Sequence, residues 1–234
     1  MDAMRETSPY LIRGEIFPRT SIAAHIAGQQ QLLRRLGGRY IPDCISEQEE
    51  KFFLRRIDSA EWITDLKRRV QHYGYRYDYT ARSIVDDMRI GDLPQWVMPL
   101  AERLGGAFFG KLPQQVIVNE YEPGQGIAPH VDCEPCFGDV VVSVSLGSTC
   151  VMDLARREAG KANRVADSGC GGDRIQLFLE PRSAVVLSGD SRHRWTHGIA
   201  PRKKDAIGGG IYHRRRRVSL TFRTVLSENR HAGN

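Results

Sequence analysis

The sequence predicts a mainly β fold, a barrel or sandwich of short strands preceded by helices, and three observations lead there. Beyond Gly105 the chain breaks into short β-rich runs separated by turn residues. The helical signals fall before those runs and not between them, which argues against an alternating, parallel α/β architecture. The chain has 234 residues, 41% of them hydrophobic and 26% charged, enough for one domain with a real core.

The elements follow in chain order. Residues 1–37, with the polar run GQQQLLRRLGGR, read as an extension that is partly helical, and a domain is expected over 38–226. Ser46 and Glu49 form the S-x-x-E pattern of a capping box, and Phe52, Phe53 and Ile57 continue it at helical spacing, which predicts a helix over 46–58. A second helix is expected from Pro94 to Leu104, stopped by Gly105. Strands are expected at 114–121, 139–146, 149–154, 174–180, 183–190 and 216–225. The Gly- and Ala-rich segment 157–173 reads as a mobile loop, and 227–234 as a frayed tail.

The formal charge of +6 suits a polyanionic partner such as nucleic acid, although many proteins with this charge have none. No apolar run approaches the roughly 18 residues a membrane helix needs. The N-terminus lacks the apolar core and cleavage site of a secretory signal, so a cytoplasmic protein with no membrane partner is expected; a monomer is expected as well. The five cysteines (Cys44, Cys133, Cys136, Cys150, Cys170) are odd in number and irregular in spacing. A disulfide framework is therefore not expected, and Cys133-x-x-Cys136 reads as two free thiols in a loop.

The chemistry concentrates around His130-Val131-Asp132. Residues i and i+2 of an extended segment point the same way, so an imidazole and a carboxylate converge on one point. His197, after a later strand, supplies a third candidate ligand. Two histidines and one carboxylate make the facial triad of non-haem iron(II) oxygenases, which leaves the opposite face of the metal open. A closed zinc site, completed by Cys133 or Cys136 in a non-catalytic binding module, is the competing reading. The final strand then adds Arg217 and Arg223, six residues apart and so on one face, with Leu220 and Phe222 on the other. Two inward arginines are costly in a core unless they meet anions, and a dicarboxylate such as 2-oxoglutarate offers one carboxylate to each. Such arginines have no role in a zinc module.

The order H-x-D, a distant His, then R-x5-R within L-T-F-R resembles the AlkB family of nucleic-acid dioxygenases. Asn119 and Tyr121, in VNEYEPGQGIAPHVD, resemble that family's N-x-Y strand. SVSLGSTCVMDL, SGDSRHRWTHGI and VSLTFR resemble, more closely still, the AlkB domain of the animal tRNA-modifying homologue. The resemblance covers about 38–226 and implies a double-stranded β-helix, or jelly-roll, core with N-terminal helices and a lid. It implies that His130, Asp132 and His197 bind Fe(II). Arg223, Asn119 and Tyr121 would hold the 1-carboxylate end of 2-oxoglutarate and Arg217 its 5-carboxylate, with O2 as cosubstrate. Ser219, where the family often has Asn, is too short to count on.

The segment 72–84 resembles part of the lid. Its aromatics and cation, Tyr73, Tyr75, Arg76, Tyr77 and Tyr79, suit base stacking and phosphate contact, with Tyr75, Arg76 and Tyr77 as candidate substrate residues; a core strand with buried tyrosines is the alternative. Trp195 reads as a packing residue. Lys203, Lys204 and Arg214–Arg216 read either as a phosphate track or as a solvated face. The leading expectation is oxidative demethylation of alkylated bases in DNA or RNA. The alternative is hydroxylation of a wobble-uridine side chain in tRNA, as the resemblance to the animal homologue implies; that homologue also carries an RNA-binding module and a methyltransferase domain. The target base would be single-stranded or flipped out.

Overall fold

The computed structural model describes residues 21–78, 88–157 and 174–226. The tail, most of the 157–173 loop and residues 79–84 of the lid segment, Tyr79 included, lie outside the described residues. The described chain begins with α1 (Ile22–Arg35), β1 (Arg39–Ile41), α2 (Glu47–Asp58), β2 (Val70–Tyr73) and α3 (Met98–Leu104). Strands β3 (Gln115–Tyr121), β4 (Ile127–His130), β5 (Phe137–Gly147), β6 (Cys150–Arg156), β7 (Arg174–Leu179) and β8 (Ala184–Leu187) follow. A single-turn helix α4 (Asp190–His193), then β9 (Trp195–Ile199), the hairpin β10 (Lys204–Ile207) and β11 (Gly210–His213), and β12 (Arg217–Val225) complete it. None of the described helices is long and apolar enough to cross a membrane.

The strands form a six-stranded sheet, ordered β1-β8-β5-β12-β3-β2, and a four-stranded sheet, ordered β4-β9-β6-β7. Every strand pairing within them is antiparallel. This is the mainly β, two-sheet architecture expected of a jelly roll. The period-2 pattern of the central strand organises it. Val218, Leu220 and Phe222 of β12 join Val116 and Val118 of β3 and Val142 and Val144 of β5 in a core covered by Phe53 and Ile57 of α2 and Leu100 and Leu104 of α3. Alternate residues of the same sheet face the second sheet, where Tyr121 of β3, Val141 of β5 and Val185 of β8 pack with Met152, Leu154, Leu177 and Ile199.

Helix α2 carries both halves of the capping box: Glu49 N–H donates to Ser46 Oγ, and Ser46 N–H to Glu49 Oε2. The second helix differs from expectation at both ends. Pro94 and Val97 form a turn before α3 starts, and Gly105 does not stop it. Gly105 keeps a right-handed φ of −55° and continues into a π-helical turn, Gly105–Phe109; the left-handed stop falls at Gly110, φ 68°.

Residues 22–36, assigned above to an extension, pack into the body. Leu33 and Leu36 are buried beneath the second sheet. One turn apart on α1, His25 Nε2 bonds to Gln176 O at 3.1 Å, while the Gln29 amide donates to Phe178 O (3.0 Å) and accepts from Phe178 N–H (2.7 Å). The strand expected at 183–190 ends at Leu187, because Gly189, φ 56°, turns the chain into α4.

Candidate active site

The site lies between the two sheets, and strand register assembles it. Strand β4 pairs with β9 so that His130 stands opposite His197, their ring centroids 4.3 Å apart. Two glycines permit this close approach. A Cβ on Gly126 would lie 2.1 Å from Ile199 O, and one on Gly198 2.9 Å from Pro129 N. His130 Nδ1 bonds to Ala128 O at 2.8 Å; a carbonyl only accepts, so Nδ1 carries the proton and Nε2 keeps its lone pair.

Asp132 stands two residues beyond. Its Oδ1 is 3.9 Å from His130 Nε2 and its Oδ2 4.0 Å from His197 Nε2. One ligand atom from each of the three residues lies within 4.8 Å of the others, and this is the one such His/Cys/Asp/Glu group among the described residues. Arg223 Nη2 donates to Asp132 Oδ1 at 2.9 Å, while Oδ2 is buried with no hydrogen-bond partner among the described residues. An orphaned buried carboxylate oxygen between two imidazoles fits a metal cation. The electrostatics agree. Burial opposes ionisation of Asp132, but Arg223 and then His197 and His130 hold its carboxyl well below the usual range. Burial, then the neighbouring His130, pushes His197 down to about 3, and burial lowers His130. At neutral pH the set is one carboxylate and two neutral imidazoles, ready for a divalent ion.

Behind the triad a narrow cavity of about 50 Å³ is lined by Asn119, Tyr121, Arg217 and Arg223, together with His130 and His197. The β3–β12 register accounts for the gathering, since Arg217 pairs with Tyr121, Ser219 with Asn119 and Arg223 with Gln115. Arg217 is 3% exposed, donates Nη2 to Ser145 Oγ at 2.8 Å, and buries Nε and Nη1 without partners among the described residues. A buried guanidinium with two idle donors is a receptor for an anion. Arg223 is more committed: Nη1 donates to Gln115 Oε1 and Nη2 to Asp132, leaving Nε idle. Asn119 Oδ1 accepts from Arg68 Nε at 2.9 Å. Arg68, Gln115 and Ser145 were not legible as site residues; Arg68 lies within the basic run Lys67–Arg69, where nothing distinguishes it from its neighbours.

A wider cavity of about 320 Å³ opens over the triad, lined by Arg68, Tyr77, Ile117, Ile127, Phe137 and Arg223 among others. Of the three candidate substrate residues only Tyr77 lines it, its ring 5.7 Å from Phe137. Tyr75 packs against the Cys133–Cys136–Phe137 cluster, and Arg76 is exposed and outside the lining. Tyr73 is half-buried against the core, edge-on to Trp96. Trp195 is buried, as a packing residue should be.

Two expectations are corrected. Cys133 and Cys136 are joined in a disulfide, not free, because the turn after Asp132 brings their Cα atoms to 5.2 Å; paired sulfurs cannot complete a zinc site. Arg214 and Arg216 do not form a phosphate track. Arg214 is buried in a bidentate pair with Asp205, and Arg216 is held by Glu120 and Asp58. Lys203, Lys204 and Arg215 remain exposed, and so does Lys67 across the 122–125 turn, where Gly124 N–H donates to Arg202 O and the Gln125 amide to Lys67 O.

The model of the 2OG-Fe(II) oxygenase superfamily matches residues 29–223. The chain is 36% identical over 201 residues to an Arabidopsis thaliana protein named "alkylated DNA repair protein ALKBH8 homolog", covering 79% of this chain and 57% of that one. It is 34% identical to the Mus musculus "tRNA (carboxymethyluridine(34)-5-O)-methyltransferase ALKBH8", covering 79% of this chain and 30% of that one. The chain thus spans just over half of the first relative and under a third of the second. Among solved structures, OsALKBH1 superposes with a TM-score of 0.57 at 19% identity, over 81% of this chain and 97% of that one, and so shares the fold.

Proposed function

The chain belongs to the 2OG-Fe(II) oxygenase superfamily and within it to the AlkB family, and on that premise we propose that it hydroxylates a carboxyl-bearing side chain on a uridine of RNA. The observation that carries this is the lining of the wider cavity. Tyr77, backed by the buried Phe137, offers a ring of the kind on which a base stacks, and Arg68 and Arg223 supply positive charge. Among the described lining residues the single carboxylate is Asp132, a metal ligand. A cationic, ring-methylated base would meet two arginines and no free acid. A neutral base with a carboxyl or ester substituent meets positive charge that suits it. The name of the mouse relative, which specifies carboxymethyluridine, points the same way.

Bound Fe(II) and 2-oxoglutarate would supply the oxidising chemistry, converting dioxygen and 2-oxoglutarate into carbon dioxide, succinate and one hydroxylated carbon. The residues of the chain do the positioning. His130, Asp132 and His197 would hold the metal, and Arg217 would anchor the far carboxylate of 2-oxoglutarate. Asn119, Tyr121 and Arg223 would orient its near end. The apolar residues Ile117, Ile127 and Phe137 would keep water from the reacting carbon. Lys67, Lys203, Lys204 and Arg215 would meet the phosphate backbone.

The second reading, which the sequence alone placed first, is repair of alkylated bases, favoured by the name of the Arabidopsis relative. There the hydroxylated methyl group on a ring nitrogen would leave as formaldehyde. Mass spectrometry after incubation with Fe(II), 2-oxoglutarate and ascorbate separates the two. Gain of one oxygen on a tRNA carrying an esterified wobble carboxymethyluridine supports the proposal. Loss of a methylene from an N1-methyladenine oligonucleotide, with no oxygen gained on the tRNA, overturns it.

A further inference from the structure

We infer that Arg192 is a positioning residue for the metal site, its guanidinium setting where the Asp132 segment stands relative to the strand that carries His197. The side chain comes from α4, five residues before His197. At 2% exposure it is among the largest fully buried side chains. Nη1 donates to the carbonyl of Asp132 at 3.0 Å, Nη2 to that of Cys133 at 3.5 Å, and Nε to that of Gly138 at 3.4 Å. One planar fork thus holds both ends of the loop that runs from the metal ligand to the start of β5.

The charge explains why an ordinary packing role is a poor account. A buried guanidinium is expensive to desolvate, and Arg192 forms no carboxylate ion pair among the described residues. Its partners are three neutral carbonyls, with the charge of Asp132 as the largest favourable electrostatic influence. Asp132 is therefore gripped twice, at its side chain by Arg223 and at its main chain by Arg192, and the oxygen left idle is Oδ2, facing His197.

The grip has a fixed base. Ser191 N–H donates to Leu36 O at 2.9 Å, Ser191 Oγ donates to Ser188 O and accepts from Ser188 N–H, and Arg192 N–H donates to Gly189 O. The helix that bears Arg192 is thus tied to the end of α1, and β9 leaves from the same anchor toward His197. Lysine would keep the charge but lose the rigid fork, so it could not span carbonyls at positions 132, 133 and 138 together.

The inference depends on the metal site and not on the proposed substrate, so its failure would leave the RNA reading untouched. The test uses the full chain with Arg192→Lys and Arg192→Gln, with Gln29→Leu as a control that removes buried hydrogen bonds far from the site. Mn(II) titration gives the metal dissociation constant without turnover, and the charge-transfer absorption of the anaerobic Fe(II)–2-oxoglutarate complex reports ligand geometry. Loss of a residue that orients a metal ligand weakens metal binding by about 10–100-fold. Both Arg192 variants should show that weakening and a shifted absorption band, while Gln29→Leu lowers Tm but leaves both readings at their parental values. Mn(II) binding within twofold of the parent in either folded Arg192 variant overturns the inference, as does equal weakening in Gln29→Leu. Should Arg192→Gln fail to fold, Arg192→Lys decides on the same two readings.

Discussion

The two faces of β12 are equally buried and do opposite work. Toward α2 and α3, Val218, Leu220 and Phe222 are packed among aliphatic side chains with no polar atom to satisfy. Toward the second sheet, Arg217, Ser219, Thr221 and Arg223 line a cavity, and both arginines keep buried donors idle. One face releases free energy through burial; the other holds groups whose desolvation a bound anion would offset. A single strand with a period of two thus separates stability from function, residue by residue.

Substitutions on the two faces break or sharpen this contrast. The largest effect is expected on the polar side, where Asp132→Ala should abolish 2-oxoglutarate consumption in a succinate-release assay while the chain stays folded. Next is Phe222→Ala on the apolar side. It should lower stability by about 3–5 kcal/mol in urea unfolding, with the metal site impaired only to the extent that the chain unfolds. Arg217→Gln should do the reverse, raising KM for 2-oxoglutarate at least tenfold while Tm holds or rises, because an unpaired buried cation has gone. A fall in Tm like that of Phe222→Ala would show that Arg217 supports the fold and would dissolve the contrast. Ser46→Ala, remote from both faces, should remove about 1 kcal/mol of stability and leave KM unchanged. The smallest effect belongs to Lys203→Glu. If Lys203 meets a phosphate, the slope of log affinity for single-stranded RNA against log salt should become shallower by about 0.7 or more.

The two faces also mark where the sequence was legible. The even spacing of Arg217 and Arg223 around Leu220 and Phe222 located β12 and its two roles, because alternation survives any tertiary context. The capping box located α2, since both of its hydrogen bonds are local. Strands β4 and β9 escaped notice: each is short and is defined by register across the pair and by glycines whose missing side chains matter only once the strands meet. Arg192 was hidden for a similar reason. It stands in a polar stretch beyond the strand expected at 183–190, where nothing local marks it for burial, and only the fold buries it. Gly105 carried a stop signal that the backbone did not use, as the left-handed conformation lay five residues on. The Cys133–Cys136 bond was overlooked because counting cysteines tests for a framework and not for one tight turn.

The contacts between α1 and β7 bear on solubility. Among the described residues strand β7 is the outer strand of its sheet, and an outer strand presents a row of N–H and C=O groups that a second chain can extend into a shared sheet. Gln29 offers β7 one acceptor and one donor, as a neighbouring strand would, and His25 takes the carbonyl two residues earlier. Two side chains one helical turn apart therefore stand in for the missing strand. The first helix thus covers part of an edge open to edge-to-edge pairing as well as part of the core.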